Sequence, residues 1–164
     1  MPGIENGAMT IYGEYSSTGH QAYLKANPQA LITCSDQYFN ILFGDNYETV
    51  FDDLESYDFL EFTDLQPYTK RLEDARRSSG KSDSITVAIG HVDDLPLVVA
   101  AMDFSFIGGS MGSVMGEKIS RAIDLAIEEK AALMIISKSG GARMMESAFS
   151  LMQFVFSPFW CRVS

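Results

Sequence analysis

Two apolar runs separated by a short turn-like segment occupy the middle of the chain. Residues 84–90 (SITVAIG) and 95–104 (LPLVVAAMDF) are rich in β-branched and aliphatic residues, and the segment from His91 to Asp94 lies between them. This pattern predicts a β-hairpin. The second run is apolar without alternation, and a strand of that kind is buried on both faces, which indicates the interior of a layered α/β fold.

A glycine-rich loop, a helix and a third strand follow this hairpin. Residues 107–116 (IGGSMGSVMG) lead into residues 117–130, where the apolar positions recur at the spacing of one helical face: Ile119, Ala122, Ile123, Ala126 and Ile127. Residues 133–137 (LMIIS) predict another buried strand. A second glycine loop then precedes a helix predicted over residues 142–153.

The order strand, glycine loop, helix, strand, glycine loop, helix has a topological consequence. A strand–helix–strand unit of this length predicts parallel pairing of its strands with a right-handed crossover. Both glycine loops should then lie at the same carboxyl edge of the sheet, which is where open α/β sheets bind their ligands.

The chain before the hairpin has a different character. Residues 36–43 predict a short helix that stops at Gly44, and residues 66–77 predict a second helix. Residues 26–69 contain no lysine or arginine but many acidic residues, which we interpret as a solvated acidic face rather than a metal site. The predicted organisation is a poorly specified lead-in (1–35), a mostly helical acidic arm (36–83), a core (84–153) and an atypical tail (154–164).

Composition and charge narrow the class of protein. A chain of 164 residues with 46% hydrophobic and 21% charged residues fits one globular domain. The net charge of −10 argues against a nucleic-acid-binding surface, because such surfaces present Lys and Arg to phosphates. We also expect no membrane association and a cytoplasmic location, since no run of eighteen apolar residues and no signal-peptide pattern occurs.

The residue types that usually hold a metal ion are few and scattered. Cys34 and Cys161 are far apart and neither belongs to a CxxC pair, while His20 and His91 are isolated from them and from each other. Tetrahedral zinc sites need four such ligands at short spacings. We therefore expect no structural metal, and in particular no zinc.

The first glycine loop excludes two nucleotide motifs and leaves one hydrolase motif open. Ser110 stands where the dinucleotide pattern needs its second glycine, and the spacing before Lys118 does not fit a P-loop. Residues 108–112 do satisfy G-x-S-x-G between a strand and a helix. Because no histidine follows Ser110 to act as its base, a serine hydrolase requires that base to come from elsewhere. It remains a weaker alternative.

The second glycine loop, residues 139–143 (SGGAR), is predicted to open a helix directly. The first amides of a helix have no internal partner and attract negatively charged oxygen, and glycine lets a ligand approach the backbone closely. Two such loops at one edge are suited to stabilising a thioester enolate, whose charge develops on the carbonyl oxygen. A tight turn that binds nothing remains the alternative for either loop taken alone.

The same two loops carry a family resemblance. Residues 102–118 (MDFSFIGGSMGSVMGEK) and 137–153 (SKSGGARMMESAFSLMQ) resemble the β subunit of the acetyl-CoA carboxylase carboxyltransferase. Propionyl-CoA-type carboxyltransferases resemble the first block less well. The resemblance covers about residues 36–153 and implies an α/β crotonase-like (ClpP/crotonase) ββα spiral, here incomplete.

The resemblance implies a reaction and its participants. Acetyl-CoA would lose a methyl proton, and its enolate would take a carboxyl group from carboxybiotin, supplied by a carrier protein, to give malonyl-CoA for fatty acid biosynthesis. The implied partners are the carboxyltransferase α subunit, the biotin carboxyl carrier protein and biotin carboxylase, in an ATP-dependent complex. The implied oxyanion-hole residues are Gly140 and Gly141, and the implied CoA-site residues are Gly108, Gly109, Ser110, Met111, Gly112, Ala142, Arg143 and Met144.

Three departures from the family pattern shape the expectations. Many members carry a four-cysteine zinc ribbon, whereas this chain has only Cys34 in that region. The family's subunit is roughly twice as long, and residues 154–164 are unusually bulky and resemble a truncated or out-of-frame ending. We therefore expect a truncated carboxyltransferase that is inactive alone. The alternative from another functional class is a non-catalytic acyl-CoA-binding or assembly fragment.

Overall fold

The fold is built around one five-stranded sheet. The computed structural model describes residues 8–10 and 34–156. The strand order is β1-β5-β4-β3-β2, with β1 (Ala8–Thr10), β2 (Tyr47–Val50), β3 (Ile85–Val92), β4 (Leu95–Met102) and β5 (Ala132–Ile136). Within these described residues lie four α-helices: α1 (Ser35–Phe43), α2 (Tyr68–Ser79), α3 (Ser113–Glu128) and α4 (Ala148–Phe156).

The predicted hairpin is confirmed. β3 and β4 pair antiparallel over their whole length, with Val92 opposite Leu95 at the turn. The turn residues Asp93 and Asp94 both have positive φ angles, 49° and 65°. A two-residue type I′ turn requires this conformation, and aspartate adopts it more readily than most residues do.

The predicted parallel pairing is also confirmed. β5 lies beside β4 in parallel, from Leu97 opposite Ala132 to Ala101 opposite Ile136, and α3 connects the two strands in sequence. On its other side β5 pairs in parallel with β1. The carboxyl ends of β4 and β5 therefore lie at one edge of the sheet, and both glycine loops leave from that edge.

Burial on both faces explains why β4 is apolar without alternation. Val98 and Ala100 join the hydrophobic cluster on the face covered by α3, while Val99 and Ala101 join the cluster on the opposite face, covered by α1. All four side chains are completely buried. A central strand between two helical layers has no solvated side, so every position of β4 near its carboxyl end favours an apolar residue.

The acidic segment, which is the predicted arm over residues 36–83, contributes a strand as well as two helices. α1 packs on the sheet through buried Phe39 and Phe43, and β2 extends the sheet by pairing antiparallel with β3. α2 buries the predicted face, which consists of Tyr68, Leu72 and Ala75. The carboxylates from Asp45 to Asp64 are mostly exposed, so this part of the segment packs onto the core while its charges stay solvated, whereas Asp83 at the end of the segment is buried.

The predicted helix over residues 142–153 is wrong in its first half. The chain after the second loop makes a short 3-10 turn at Met144–Glu146, and α4 begins only at Ala148. Ser147 separates the two with a φ angle of 51°, which an α-helix cannot contain. The side chains of Arg143 and Glu146 are both buried in a polar cluster beneath the loops, which holds this stretch in a turn.

Parts of two predictions lie outside the described residues. Of the predicted lead-in, only residues 8–10 and 34–35 are described, and of the predicted tail only residues 154–156, as the end of α4. Across the described ranges, we find no helix with the length and apolar character needed to cross a membrane.

We predict that Phe39→Ala lowers the free energy of unfolding by about 3–5 kcal/mol, because the ring is fully buried against the sheet and its loss leaves a cavity. Urea denaturation followed by circular dichroism measures the change. Ile41→Ala is the matched control on the same helix, since Ile41 is 69% exposed and its truncation should change stability by less than about 0.5 kcal/mol. Equal losses in the two variants would contradict the packing of α1.

Candidate functional site

The two glycine loops are joined by backbone hydrogen bonds at the carboxyl edge of β4 and β5. The Gly140 N–H donates to the Gly108 carbonyl (2.9 Å), and the Met111 N–H donates to the Gly141 carbonyl (2.9 Å). The Arg143 N–H returns a bond to the Met111 carbonyl (3.0 Å). The prediction that both loops meet at one edge is confirmed, and together they form a single backbone surface.

Close approach of the two loops requires glycine at defined positions. Gly109 has a φ angle of 64°, and a Cβ atom added there would lie 2.3 Å from the Lys138 carbonyl oxygen. A Cβ atom on Gly140 would lie 3.0 Å from the Gly108 carbonyl oxygen. The glycines thus serve the contact between the loops as well as any contact with a ligand.

The amides of the second loop differ in how firmly they are held. The Gly140 N–H is bonded to the backbone of the first loop, as described above. The Gly141 N–H donates to the hydroxyl of Ser139 (3.0 Å), an exposed side chain only two residues away. Because a serine hydroxyl can rotate, the Gly141 amide is the one that a ligand oxygen can take over without breaking the contact between the loops.

A buried polar cluster lies directly beneath the loops and is centred on Arg143. Its guanidinium group is fully buried and pairs with the carboxylates of Asp83 (2.7 Å) and Glu146 (3.2 Å). It also donates to the Ser110 hydroxyl (3.0 Å) and to the Ser110 carbonyl (2.9 Å). Further hydrogen bonds reach Ser56, Tyr68 and Ser84.

The charges of this cluster shift the pKa values of its members. Burial alone would raise the pKa of the Asp83 carboxyl, but the charge and hydrogen bonds of Arg143 outweigh burial and hold that pKa below its usual range. Burial likewise raises the pKa of the Tyr68 hydroxyl, so this group stays protonated and donates to Glu146 (2.7 Å). The cluster therefore contains an ionised arginine and an ionised aspartate at neutral pH.

The predicted site residues occupy two different environments. Met144 is 78% exposed, and Gly140 is exposed as well. Ser110 is buried, and the side chain of Arg143 is turned away from the surface into the polar cluster. A ligand on the loops can meet Arg143 only through its backbone.

The geometry around Ser110 gives no support to the serine hydrolase alternative. Its hydroxyl is bonded to Arg143, a cation that cannot act as a general base. Within residues 8–10 and 34–156, His91 is the one histidine, and it lies near the hairpin turn, at the opposite end of β3 from the loops. A nucleophile with no base within reach stays protonated.

The sequence interpretation missed most members of the polar cluster. Asp83 lies in a stretch that reads only as a polar loop, and Ser56 and Tyr68 belong to the acidic segment. These residues are separated from Arg143 by 60 to 87 positions along the chain. No local spacing reveals partners so distant. Within the described ranges, no group of three or more His, Cys, Asp or Glu residues is placed to hold a metal ion.

Comparison with known proteins now assigns a family. The model of the carboxyl transferase domain matches residues 52–156, a range that contains both glycine loops and the whole polar cluster. The chain belongs to the carboxyl transferase domain family. The predicted relationship is thereby confirmed at the family level.

Individual relatives are similar over most of this chain. It is 51% identical over 154 residues to the acetyl-coenzyme A carboxylase carboxyl transferase subunit beta of Chlorobium limicola, covering 87% of this chain and 55% of that protein. It is 56% identical over 120 residues to the protein of the same name from Pedobacter heparinus, covering 73% and 43% of the two chains. This family member thus spans about half the length of the curated relatives it matches.

Solved structures show the same fold at low sequence identity. The transcarboxylase 12S hexamer matches 82% of this chain and 24% of its own, with a TM-score of 0.60 and 20% identity. A Pseudomonas malonate decarboxylase hetero-dimer matches 74% and 43%, with a TM-score of 0.52 and 23% identity. Together with the domain match, these likenesses confirm the predicted α/β crotonase-like fold.

We predict that Gly109→Ala destabilises the protein more than Gly108→Ala. Both glycines have φ angles near 64°, so each alanine carries a conformational cost of about 1–2 kcal/mol. Only at Gly109 does the new Cβ meet the Lys138 carbonyl, which adds about 1–3 kcal/mol, whereas space is open at Gly108. Urea denaturation of the two variants measures the difference. Equal destabilisation would mean that the loops are not in contact.

We predict that acid weakens the fold through Asp83. Its folded-state pKa is lower than its unfolded-state pKa, so its contribution to stability is complete at neutral pH and is lost as the pH falls below about 4. Asp83→Asn should lower stability at pH 7 by about 3–5 kcal/mol and flatten this dependence. Unfolding free energies of the parent and the variant, measured from pH 7 to pH 3, test this predicted pH dependence. Asp124→Asn, on the exposed face of α3, should preserve the parent profile.

Proposed function

We propose that this chain binds acetyl-CoA as the β subunit of an acetyl-CoA carboxylase carboxyltransferase, and that the malonyl-CoA it helps to form enters fatty acid biosynthesis. The observation that carries the proposal is the pair of glycine loops, joined by three backbone hydrogen bonds at one sheet edge in a carboxyl transferase domain. A backbone surface of this kind can hold a thioester without an ionisable side chain at the reacting atoms.

The amide of Gly141 is the proposed oxyanion donor, with Gly140 holding the loop in place. Removal of a methyl proton from acetyl-CoA breaks a C–H bond and places negative charge on the thioester oxygen. An N–H aimed at that oxygen stabilises the charge where it develops. When no ligand is bound, the Gly141 N–H donates to the Ser139 hydroxyl (3.0 Å), which keeps the N–H oriented. A bound thioester oxygen would then replace this weak local bond.

The remaining predicted residues are proposed to line the CoA side of the site. The first loop contributes residues 108–112, and the second contributes the backbone of Ala142 and Arg143 together with Met144. The exposed Met144 side chain can cover apolar parts of the ligand. Backbone amides and small residues let the chain follow an extended ligand closely.

The proposed reaction needs a second reactant and other chains. Carboxybiotin on a biotin carboxyl carrier protein would supply the carboxyl group: its N–C bond to that group would break as the enolate carbon forms the new C–C bond. The released biotin nitrogen would take up a proton, which balances the methyl proton removed from acetyl-CoA. The proposed partners are a carboxyltransferase α subunit, that carrier and biotin carboxylase, in the cytoplasm. Relatives named as β subunits of acetyl-coenzyme A carboxylase support this assignment at 51–56% identity.

A second candidate function is an acyl-CoA-binding segment without transferase activity. It is favoured by one observation, namely that the charged side chains of Asp83, Arg143 and Glu146 are buried beneath the loops and pair with one another there, so none of them faces a ligand. The two candidate functions are distinguished by mixing the chain with a relative's α subunit and a carboxylated carrier and then measuring malonyl-CoA formation. Product formation supports the transferase, and binding of acetyl-CoA without product supports the second candidate.

We predict saturable binding of acetyl-CoA that is abolished by Gly141→Val. Valine is strained at the φ angle of 120° found there and would displace the proposed oxyanion donor. Titration calorimetry measures the binding. The matched control is Gly44→Val, which has a similarly unfavourable φ angle of 64° at the end of α1 and should bind normally if folded. Absence of binding by the folded parent chain, or equal loss in both variants, would contradict the proposal.

A further inference from the structure

The side chain of Arg143 connects the second glycine loop to the first from below. Its Nε–H donates to the Ser110 hydroxyl (3.0 Å), and its Nη2 donates to the Ser110 carbonyl (2.9 Å). These two bonds hold Ser110 of the first loop through both its side chain and its backbone. Because the guanidinium group is completely buried, these bonds do not compete with water.

Glu146 holds the first glycine loop at its other end, where the loop leads into α3. Its Oε2 accepts the Ser113 N–H (2.6 Å) at the first residue of α3, while its Oε1 pairs with Arg143 (3.2 Å). Between these two anchors, a Cβ atom on Gly112 would lie 2.7 Å from both the Arg143 and the Glu146 side chains. Residues 110–113 therefore rest directly on the ion pair.

Asp83 fixes the orientation of the guanidinium group. Its carboxylate accepts from Nη2 (2.7 Å) and from Nη1 (3.2 Å), a bidentate arrangement that defines the plane of the fork. Asp83 also accepts the Ser84 N–H (2.7 Å), which ties it to the start of β3. The rigid sheet is thus connected to the first loop through Asp83 and Arg143, alongside a direct bond from the Ser84 hydroxyl to the Ser110 carbonyl (2.7 Å).

We propose that Arg143 is a positioning residue for acyl-CoA binding: its side chain does not touch the ligand but holds the first glycine loop in register with the second. This inference rests on the proposed function and assigns a role that differs from a direct CoA contact. Asp83 and Glu146 act through Arg143 and through the start of α3, respectively.

Lysine cannot replace arginine in this arrangement. Its ammonium group keeps the charge that Asp83 and Glu146 need, but it lacks the planar fork that reaches both carboxylates and Ser110 at once. The Arg143→Lys variant therefore separates charge from geometry. If charge alone mattered, lysine would suffice; if the register of the loop matters, lysine fails.

The experiment combines binding with local amide exchange in the full chain. Acetyl-CoA affinity is measured by calorimetry, and hydrogen–deuterium exchange is followed in peptides from residues 105–116 and from β3 and β4. The variants are Arg143→Lys, Asp83→Asn and the control Val99→Ala, which truncates a fully buried residue on the α1 face of the sheet. All are compared under conditions in which each is folded by circular dichroism.

We expect Arg143→Lys and Asp83→Asn each to weaken acetyl-CoA binding by about 10-fold or more and to speed exchange in residues 105–116, because small misplacements of a binding loop are costly. Exchange in β3 and β4 should speed up only as far as the loss of global stability requires, and by a smaller factor than in residues 105–116. Since both act on one contact, the double variant should lose less than the product of the single losses. Val99→Ala should lower stability but leave affinity and loop exchange at parent values.

Three results would overturn the inference: parent-like affinity and loop exchange in Arg143→Lys, uniform acceleration of exchange over the whole sheet, or an equal loss of affinity in Val99→Ala. If Arg143→Lys does not fold, Asp83→Asn decides by the same readouts, because it is nearly isosteric and reaches the first loop through Arg143 and Ser84, which both bond to Ser110. If the folded parent does not bind acetyl-CoA, the proposed function fails, and loop exchange alone then decides the positioning role.

Discussion

The buried ion pair between Arg143 and Asp83 is the interaction on which the rest of the structure depends. Both side chains are fully buried. A buried charge without its partner is strongly destabilising, so neither residue can be buried unless the other is in place. The remaining donors of the guanidinium group are satisfied by Ser56, Tyr68 and Ser110, each from a different part of the chain. The acidic segment, the start of β3 and both glycine loops therefore have to assemble at the same time as the chain folds.

The sheet explains why this cluster lies where a ligand could use it. Two helical layers bury both faces of β4, and this leaves the carboxyl edge as the place where the chain can offer backbone groups. The loops that leave β4 and β5 meet there through their own amides and carbonyls. The polar cluster fills the space beneath them, where an apolar core would leave the Ser110 carbonyl and the Ser113 N–H without partners.

This arrangement suits a reaction in which the protein stabilises charge without an ionisable group at the reacting atoms. The charged side chains of Arg143, Asp83 and Glu146 lie close to the loops, but they are turned inward and pair with one another there. The surface offered to a ligand is mainly backbone and glycine, with the exposed side chains of Ser139 and Met144. Membership of the carboxyl transferase domain family is consistent with this division between a backbone site and a buried electrostatic support.

Local patterns in the sequence were sufficient for the hairpin, the parallel pair, the doubly buried strand β4 and the meeting of the two loops, because each depends on periodicity or on short-range chain order. The helix predicted from residue 142 failed because spacing alone cannot show that Arg143 and Glu146 are drawn inward and that Ser147 adopts a positive φ angle. The polar cluster was beyond prediction for the same reason. Its members are up to 87 positions apart, and only the packing of α2 and the loops against the sheet decides that they meet.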